Sequence, residues 1–226
     1  MQITYYGHSA FGIETGGKHL LFDPFISPNE KAAHIRVDEI PADYILVSHA
    51  HGDHIADVER IARRTGAMVV GTFEVVTWFN QHGIERYHPM NHGGSWKFDF
   101  GTVRLVSAVH SSSFPDGSYG GNPCGFVVQT PEGSFYYSGD TALTYDMKLI
   151  GERWKPDFAF LCMGDNFTMG PEDALTAAGW AGCDTVIGMH FDTFGYIVID
   201  HDAAQAAFAA AGKTLHLMPV GGTLTL

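Results

Sequence analysis

The stretch Ser48-His49-Ala50-His51-Gly52-Asp53-His54 follows an apolar run over residues 43–47 and places four metal-ligand types within six residues. In an extended or looped backbone, side chains two residues apart point to one side, so His49 and His51 can reach a single ion. Asp53 and His54 follow Gly52, whose conformational freedom permits a turn toward a second position. The spacing therefore suits a pair of metals. Three more candidates stand at the ends of apolar runs: His110 after residues 105–109, Asp140 after 136–139 and His190 after 186–189. Strand ends that open into loops are where binding and catalytic groups collect. A lone histidine is ordinarily a satisfied core or surface residue. A cluster with three such singletons supplies the nitrogen and oxygen donors of a dinuclear site.

Outward from the motif, residues 2–6, 11–14, 18–22 and 43–48 read as strands separated by Gly-rich turns. Residues 55–65 carry Ile55, Val58 and Ile61 at helical spacing with Gly66 just beyond, which predicts a helix after the motif. Residues 67–71 predict a strand, 73–81 a helix closed by Gly83, and 95–109 a hairpin in which Trp96, Phe98 and Phe100 alternate with polar neighbours. Residues 110–122 form a long polar, Gly-rich loop, of a kind that is usually functional. Beyond it, residues 125–130 and 134–138 predict a second hairpin. Helices over 147–154, 171–181 and 202–211 then alternate with strands over 158–163, 184–189, 215–218 and 223–226. No linker, short repeat or low-complexity segment interrupts the chain, so residues 1–226 are expected to form one domain. Two β-rich halves with interleaved helices predict an α/β architecture of two packed sheets covered by helices.

With these residues the chain resembles the metallo-β-lactamase superfamily, whose HxHxDH motif matches His49, His51, Asp53 and His54. The resemblance implies a four-layer αβ/βα sandwich of two mixed β-sheets. It implies a first metal held by His49, His51 and His110, and a second held by Asp53, His54 and His190, with Asp140 bridging the two. It also implies that Asp23, in the Leu-Phe-Asp-Pro segment, braces the motif loop from behind. The stretches YYGHSAFGIE, DPFI and FTMGPEDA look like the small metal-dependent hydrolases related to ascorbate-6-phosphate lactonase. Departures narrow the choice. Diiron flavoprotein relatives carry Glu where His51 stands, and lactam-cleaving relatives of the common zinc class carry Cys in place of Asp140 and lack the His54 equivalent.

The expected function is that of a metal-dependent hydrolase that cleaves a small ester, lactone or phosphodiester. Two divalent cations, foremost Zn²⁺, with Mn²⁺, Fe²⁺ or Ni²⁺ fitting the same donors, would acidify a bridging water so that hydroxide attacks. Asp53 would orient that nucleophile. His8, at the end of the first strand, stands where the resemblance places a histidine near the metal pocket. It reads either as a donor to substrate or leaving group or as a strand-end histidine bonded to a backbone carbonyl. The other seven histidines read as surface or packing residues. Two rival functions remain: a nuclease or cyclic nucleotide phosphodiesterase, and a non-catalytic metal-binding or regulatory module.

Composition limits the partners. The 226 residues include 13 Lys+Arg against 25 Asp+Glu, a net charge of −12, which disfavours extended nucleic acid as a partner because binding there relies on phosphate neutralisation. A small-molecule substrate is the expectation. No long apolar run or basic leader is present, so no membrane span is expected and the cytoplasm is the default compartment. Cys124, Cys162 and Cys183 lack CxxC spacing and read as buried reduced thiols. Trp78 and Phe79, if exposed on their helix, would mark a homo-oligomer interface.

Overall fold

A computed structural model describes residues 1–226. Seven strands form the first sheet: β1 (Gln2–Gly7), β2 (Ala10–Thr15), β3 (Lys18–Phe22), β4 (Tyr44–Val47), β5 (Met68–Thr72), β6 (Tyr87–Met90) and the last strand, β14 (Thr223–Thr225). Seven more form the second: β7 (Ser95–Lys97), β8 (Thr102–Ser107), β9 (Cys124–Thr130), β10 (Gly133–Tyr137), β11 (Phe158–Cys162), β12 (Thr185–Met189) and β13 (Thr214–His216). The orders are β14-β1-β2-β3-β4-β5-β6 and β13-β12-β11-β10-β9-β8-β7. From β14 to β3 neighbours are antiparallel and from β3 to β6 parallel. The second sheet repeats the division, parallel from β13 to β10 and antiparallel from β10 to β7.

Helices α1 (Gly52–Ile55), α2 (Val58–Thr65) and α3 (Phe73–Gln81) accompany the first sheet, and α4 (Asp146–Trp154), α5 (Pro171–Ala181) and α6 (His201–Ala210) the second. The result is the expected αβ/βα sandwich of two mixed sheets. Its ends are chemically marked. Pro171 opens α5, Asp200 Oδ1 accepts from Ala203 N–H at the start of α6, and Gly66 closes α2 in the left-handed region.

The sheets are joined by aromatic packing. Phe11 and Phe22 from the first meet Phe160 and Tyr137 from the second at ring separations of 4.8 Å, and all four are fully buried. The parallel strands β4, β11 and β12 are almost continuously apolar and buried, as strands covered on both faces must be. Their C-terminal ends, with those of β1, β3, β8 and β10, open onto one rim that carries His8, Asp23, the motif, His110, Asp140 and His190. No helix is long and apolar enough to cross a membrane.

Several expectations are corrected. The helix predicted over 55–65 is split between α1 and α2, because Asp57 leaves helical geometry and its carboxylate accepts from Ile26 and Ser27 N–H, each at 2.8 Å. Strand β6 escaped the sequence pattern because His88 and Pro89 interrupt its apolar run; Pro89 is tolerated on this edge strand. Phe79 is buried and Trp78 is half-buried under Phe114, with rings 4.2 Å apart, so most of this pair is taken up by packing within the chain. Gly52 has no positive φ and a Cβ there would meet only Pro115, at 3.7 Å, so the turn toward Asp53 does not require glycine.

Gly139 does require it. Its φ is +60°, and a Cβ would lie 2.6 Å from the Cys124 carbonyl oxygen and 2.9 Å from Ser48 Cβ. Gly139→Ala is expected to lower the denaturant midpoint by the equivalent of about 2 kcal/mol or more. A wild-type midpoint would contradict this packing.

Candidate metal centre

The site is built on a buried carboxylate. Asp23 takes a left-handed φ of 40° just after β3 and is fully buried. Its Oδ1 accepts from Ser48 N–H at 2.7 Å, and its Oδ2 from Ser48 Oγ at 2.6 Å and His54 Nδ1 at 2.9 Å. Tyr137 Oη lies 2.9 Å from the same Oδ2, tying the second sheet to this point. Asp23 thus holds both ends of the motif and fixes the tautomer of His54, leaving Nε2 to face the centre. The Ser48 hydroxyl, in turn, lies 2.9 Å from His49 Nδ1, so His49 also presents Nε2 inward.

Three groups have ligand atoms within 4.8 Å of one another: two donor groups, His49, His51 and His110, and His8, Asp53, His54 and His190; and behind them Asp23 with His49 and His54. In the first, His49 Nε2 and His51 Nδ1 are 2.9 Å apart, as alternation along an extended backbone predicts. His51 caps the start of α1, and that single turn delivers Asp53 and His54 to the second group. Between the groups lies Asp140. Its Oδ2 is 2.9 Å from His190 Nε2, 3.2 Å from His54 Nε2, 3.6 Å from His110 Nε2 and 3.9 Å from His49 Nε2. All seven residues anticipated as ligands therefore converge, with Asp23 behind them.

His8 joins them in a way the sequence did not suggest. Its φ of 56° turns the ring onto Asp53, and it is almost wholly buried. Nε2 lies 3.1 Å from Asp53 Oδ2 and Nδ1 2.9 Å from Thr193 Oγ1. Both ring nitrogens are engaged with side chains, so in this arrangement His8 neither points at substrate space nor bonds a backbone carbonyl. Burial pushes it down to about 4, so it is neutral and donates Nε2–H to Asp53, with Nδ1 beside the Thr193 hydroxyl. Ser48, Asp57, Tyr137 and Thr193 were not singled out from sequence. Ser48 and Thr193 lie one and three residues from ligand histidines, the only signal that could have found them.

The electrostatics leave buried negative charge to be balanced. Burial by itself would raise Asp140 and Asp53, but His190 and His54 hold Asp140, and His54 and His8 hold Asp53, well below the usual carboxylate range. Burial lowers His49, His51 and His110, which stay neutral with lone pairs available. It would lower His54 too, but Asp140, Asp23 and Asp53 outweigh it and raise that ring well above its ordinary value. No lysine or arginine pairs with Asp23, Asp53 or Asp140; their ion-pair partners are histidines. Positive charge here must come from protonated rings or from cations. His54 Nε2 and Asp140 Oδ1 are buried without a hydrogen-bond partner, so the donor set fits divalent cations.

The polar loop over residues 110–122 lies against the motif. Ala50 N–H donates to Ser112 Oγ at 3.1 Å, Ser112 Oγ to the Gly120 carbonyl at 2.8 Å, and Ser111 Oγ is 3.4 Å from His51 Nε2. Of the histidines set aside, His201 pairs with Asp192 at 2.7 Å, away from the donor groups. The three cysteines are free and buried.

The beta-lactamase superfamily domain model matches residues 18–191. A metal-dependent hydrolase from Flavobacterium johnsoniae is 54% identical over 226 residues, covering 100% of both chains. One from Christiangramia forsetii is 50% identical over 227 residues, again over 100% of both. Among solved structures, a metallo hydrolase from the hyperthermophilic archaeon Ignicoccus hospitalis superposes with a TM-score of 0.89 at 32% identity, over 99% of this chain and 97% of that one.

Two outcomes are expected. Asp23→Ala should weaken divalent-metal affinity by about 10- to 100-fold while far-ultraviolet circular dichroism stays native, because the brace and not the donors is removed; unchanged affinity by competition with a chelating dye would contradict the role. For His8, His49, His51 and His110 the folded values lie below the unfolded ones, so the unfolded chain binds more protons as the pH falls. The thermal midpoint of metal-free protein should therefore decline as pH drops from about 6.5 toward 4, against the smaller opposing contribution of His54. A flat or rising midpoint over that window would reverse the assignment.

Proposed function

The chain belongs to the beta-lactamase superfamily, as one of its metal-dependent hydrolases, and on that premise we propose that it cleaves a small ester, lactone or phosphodiester with two divalent cations, foremost Zn²⁺. The observation that carries this reading is the position of Asp140, whose single oxygen Oδ2 lies within 2.9 to 3.9 Å of histidine nitrogens from both donor groups. A carboxylate so placed can be shared. His49, His51 and His110 would hold one cation, and Asp53, His54 and His190 the other. When bound, the pair supplies water acidified toward neutrality and polarises the attacked oxygen.

The chain's own residues do the rest. Asp53 is ionised and anchored through Oδ2 by His8, and its other oxygen would accept a hydrogen bond from the attacking water. Thr193 steadies His8 from behind. Ser111 and the loop after His110 form one wall of the substrate space. No serine or cysteine nucleophile is needed, and burial raises Cys124 well above its ordinary value, so that its thiol stays protonated. Free buried thiols also suit a reducing compartment, which supports a cytoplasmic location.

Elemental analysis after reconstitution with Zn²⁺ or Mn²⁺ should find about two equivalents per chain, and Asp140→Ala should lose most of both together with activity. Less than half an equivalent in the native protein would refute the paired site. Tight metal without turnover of any lactone, ester, thioester or phosphodiester would instead favour a regulatory module.

A further inference from the structure

The loops that frame the centre are unusual in what they lack. Residues 7–9, 23–29, 48–57, 108–123, 138–145, 163–170 and 190–200 contain no lysine or arginine; all 13 basic residues lie elsewhere. Their acidic side chains are all aspartates, and their only cationic candidates are histidines. These same segments hold seven of the chain's eleven exposed large apolar side chains. Phe194 is 38% exposed; its ring stands 5.4 Å from that of His8 and 6.2 Å from that of Phe25. Beside it, Phe167 and Tyr196 are exposed with rings 6.2 Å apart at 71°. Their two loops are in close contact, since a Cβ on Gly164 would lie 2.1 Å from the carbonyl oxygen of His190. Across the centre, exposed Val109 precedes His110, and exposed Tyr119 lies in the loop bound to Ala50.

Apolar side chains concentrated around a polar centre mark a binding wall. A phosphate remote from the reacting carbonyl is most often gripped by arginine or lysine, and none of these loops offers one. We propose that the substrate is an uncharged carboxylic ester or lactone bearing an aryl or alkyl substituent, which lies on the exposed aromatic wall of Phe167, Phe194 and Tyr196, with buried Phe25 behind Phe194. This rests on the hydrolytic reading above. One water adds across the acyl C–O bond, which breaks to give a carboxylic acid and an alcohol, and no other reactant is required.

The test uses metal-loaded protein and three γ-butyrolactones whose ring substituent is hydrogen, phenyl or phosphomethyl. The phenyl lactone should have a kcat/KM at least about tenfold above that of the phosphorylated one. Phe194→Ala and Phe167→Ala should narrow that ratio through KM with metal content retained, and Phe194→Leu should recover part of it. Equal or faster turnover of the phosphorylated lactone would overturn the proposal while leaving the hydrolytic reading intact. If no lactone is cleaved, calorimetry with phenylacetohydroxamate and acetohydroxamate separates the two claims. Tighter binding of the aryl compound by about tenfold or more would support the wall and shift the failure to the hydrolytic reading, and equal affinities would overturn the wall. Light scattering covers self-association: a dimer that dissociates in Phe167→Ala and Tyr196→Ala variants, with the phenyl preference unchanged, would make the rim a subunit interface and also overturn the proposal.

Discussion

Two carboxylates, those of Asp23 and Asp140, are buried with no lysine or arginine to neutralise them, and most of the rim is arranged around that constraint. Such groups are costly unless they are hydrogen-bonded and their charge is met. Asp23 meets the cost with hydrogen bonds: a backbone amide, a serine hydroxyl and a histidine ring donate to it. Asp140 has less. One of its oxygens is unpartnered and the other faces four imidazoles, a surrounding that protons or divalent cations can balance. The two therefore differ in place: Asp23 secures the motif from behind, and Asp140 faces the imidazoles.

The sandwich makes that arrangement rigid. The groups at the rim leave from strand ends of both sheets, so their mutual distances depend on how the sheets pack. Phe11 and Phe22 against Phe160 and Tyr137 set that packing, and Tyr137 also reaches Asp23 through its hydroxyl. Core and centre therefore share a residue. Left-handed backbone at His8, Asp23 and His190 is retained at the rim, where such strain is common at functional sites.

Much of this was legible in the chain. The motif, with His110, Asp140 and His190 each placed after an apolar run, announced the donor set, because metal chemistry needs specific residue types at strand ends. Most elements followed from apolar periodicity and from Gly and Pro punctuation, as at Pro171 and Gly66. Strand β6 was hidden because an edge strand needs no continuous apolar run and tolerates Pro89. The break before α2 was hidden because Asp57 serves a tertiary purpose, capturing Ile26 and Ser27, that no local pattern encodes.

His8 shows where the boundary lies. Residue type and position at a strand end brought it to attention, but a strand and a loop 185 residues apart in sequence had to meet before Thr193 and Asp53 could claim its two nitrogens. The exposed aromatic side chains belong on the same side, since Phe167, Phe194 and Tyr196 look like ordinary core candidates until folding leaves them exposed on two loops that meet beside His190. The residue types at the site, their spacing and the layered class can be read along the chain, because these rest on local chemistry and periodicity. Which histidines face Asp140, what holds Asp53 and what surrounds the opening depend instead on contacts between distant segments, which exist only in the folded chain.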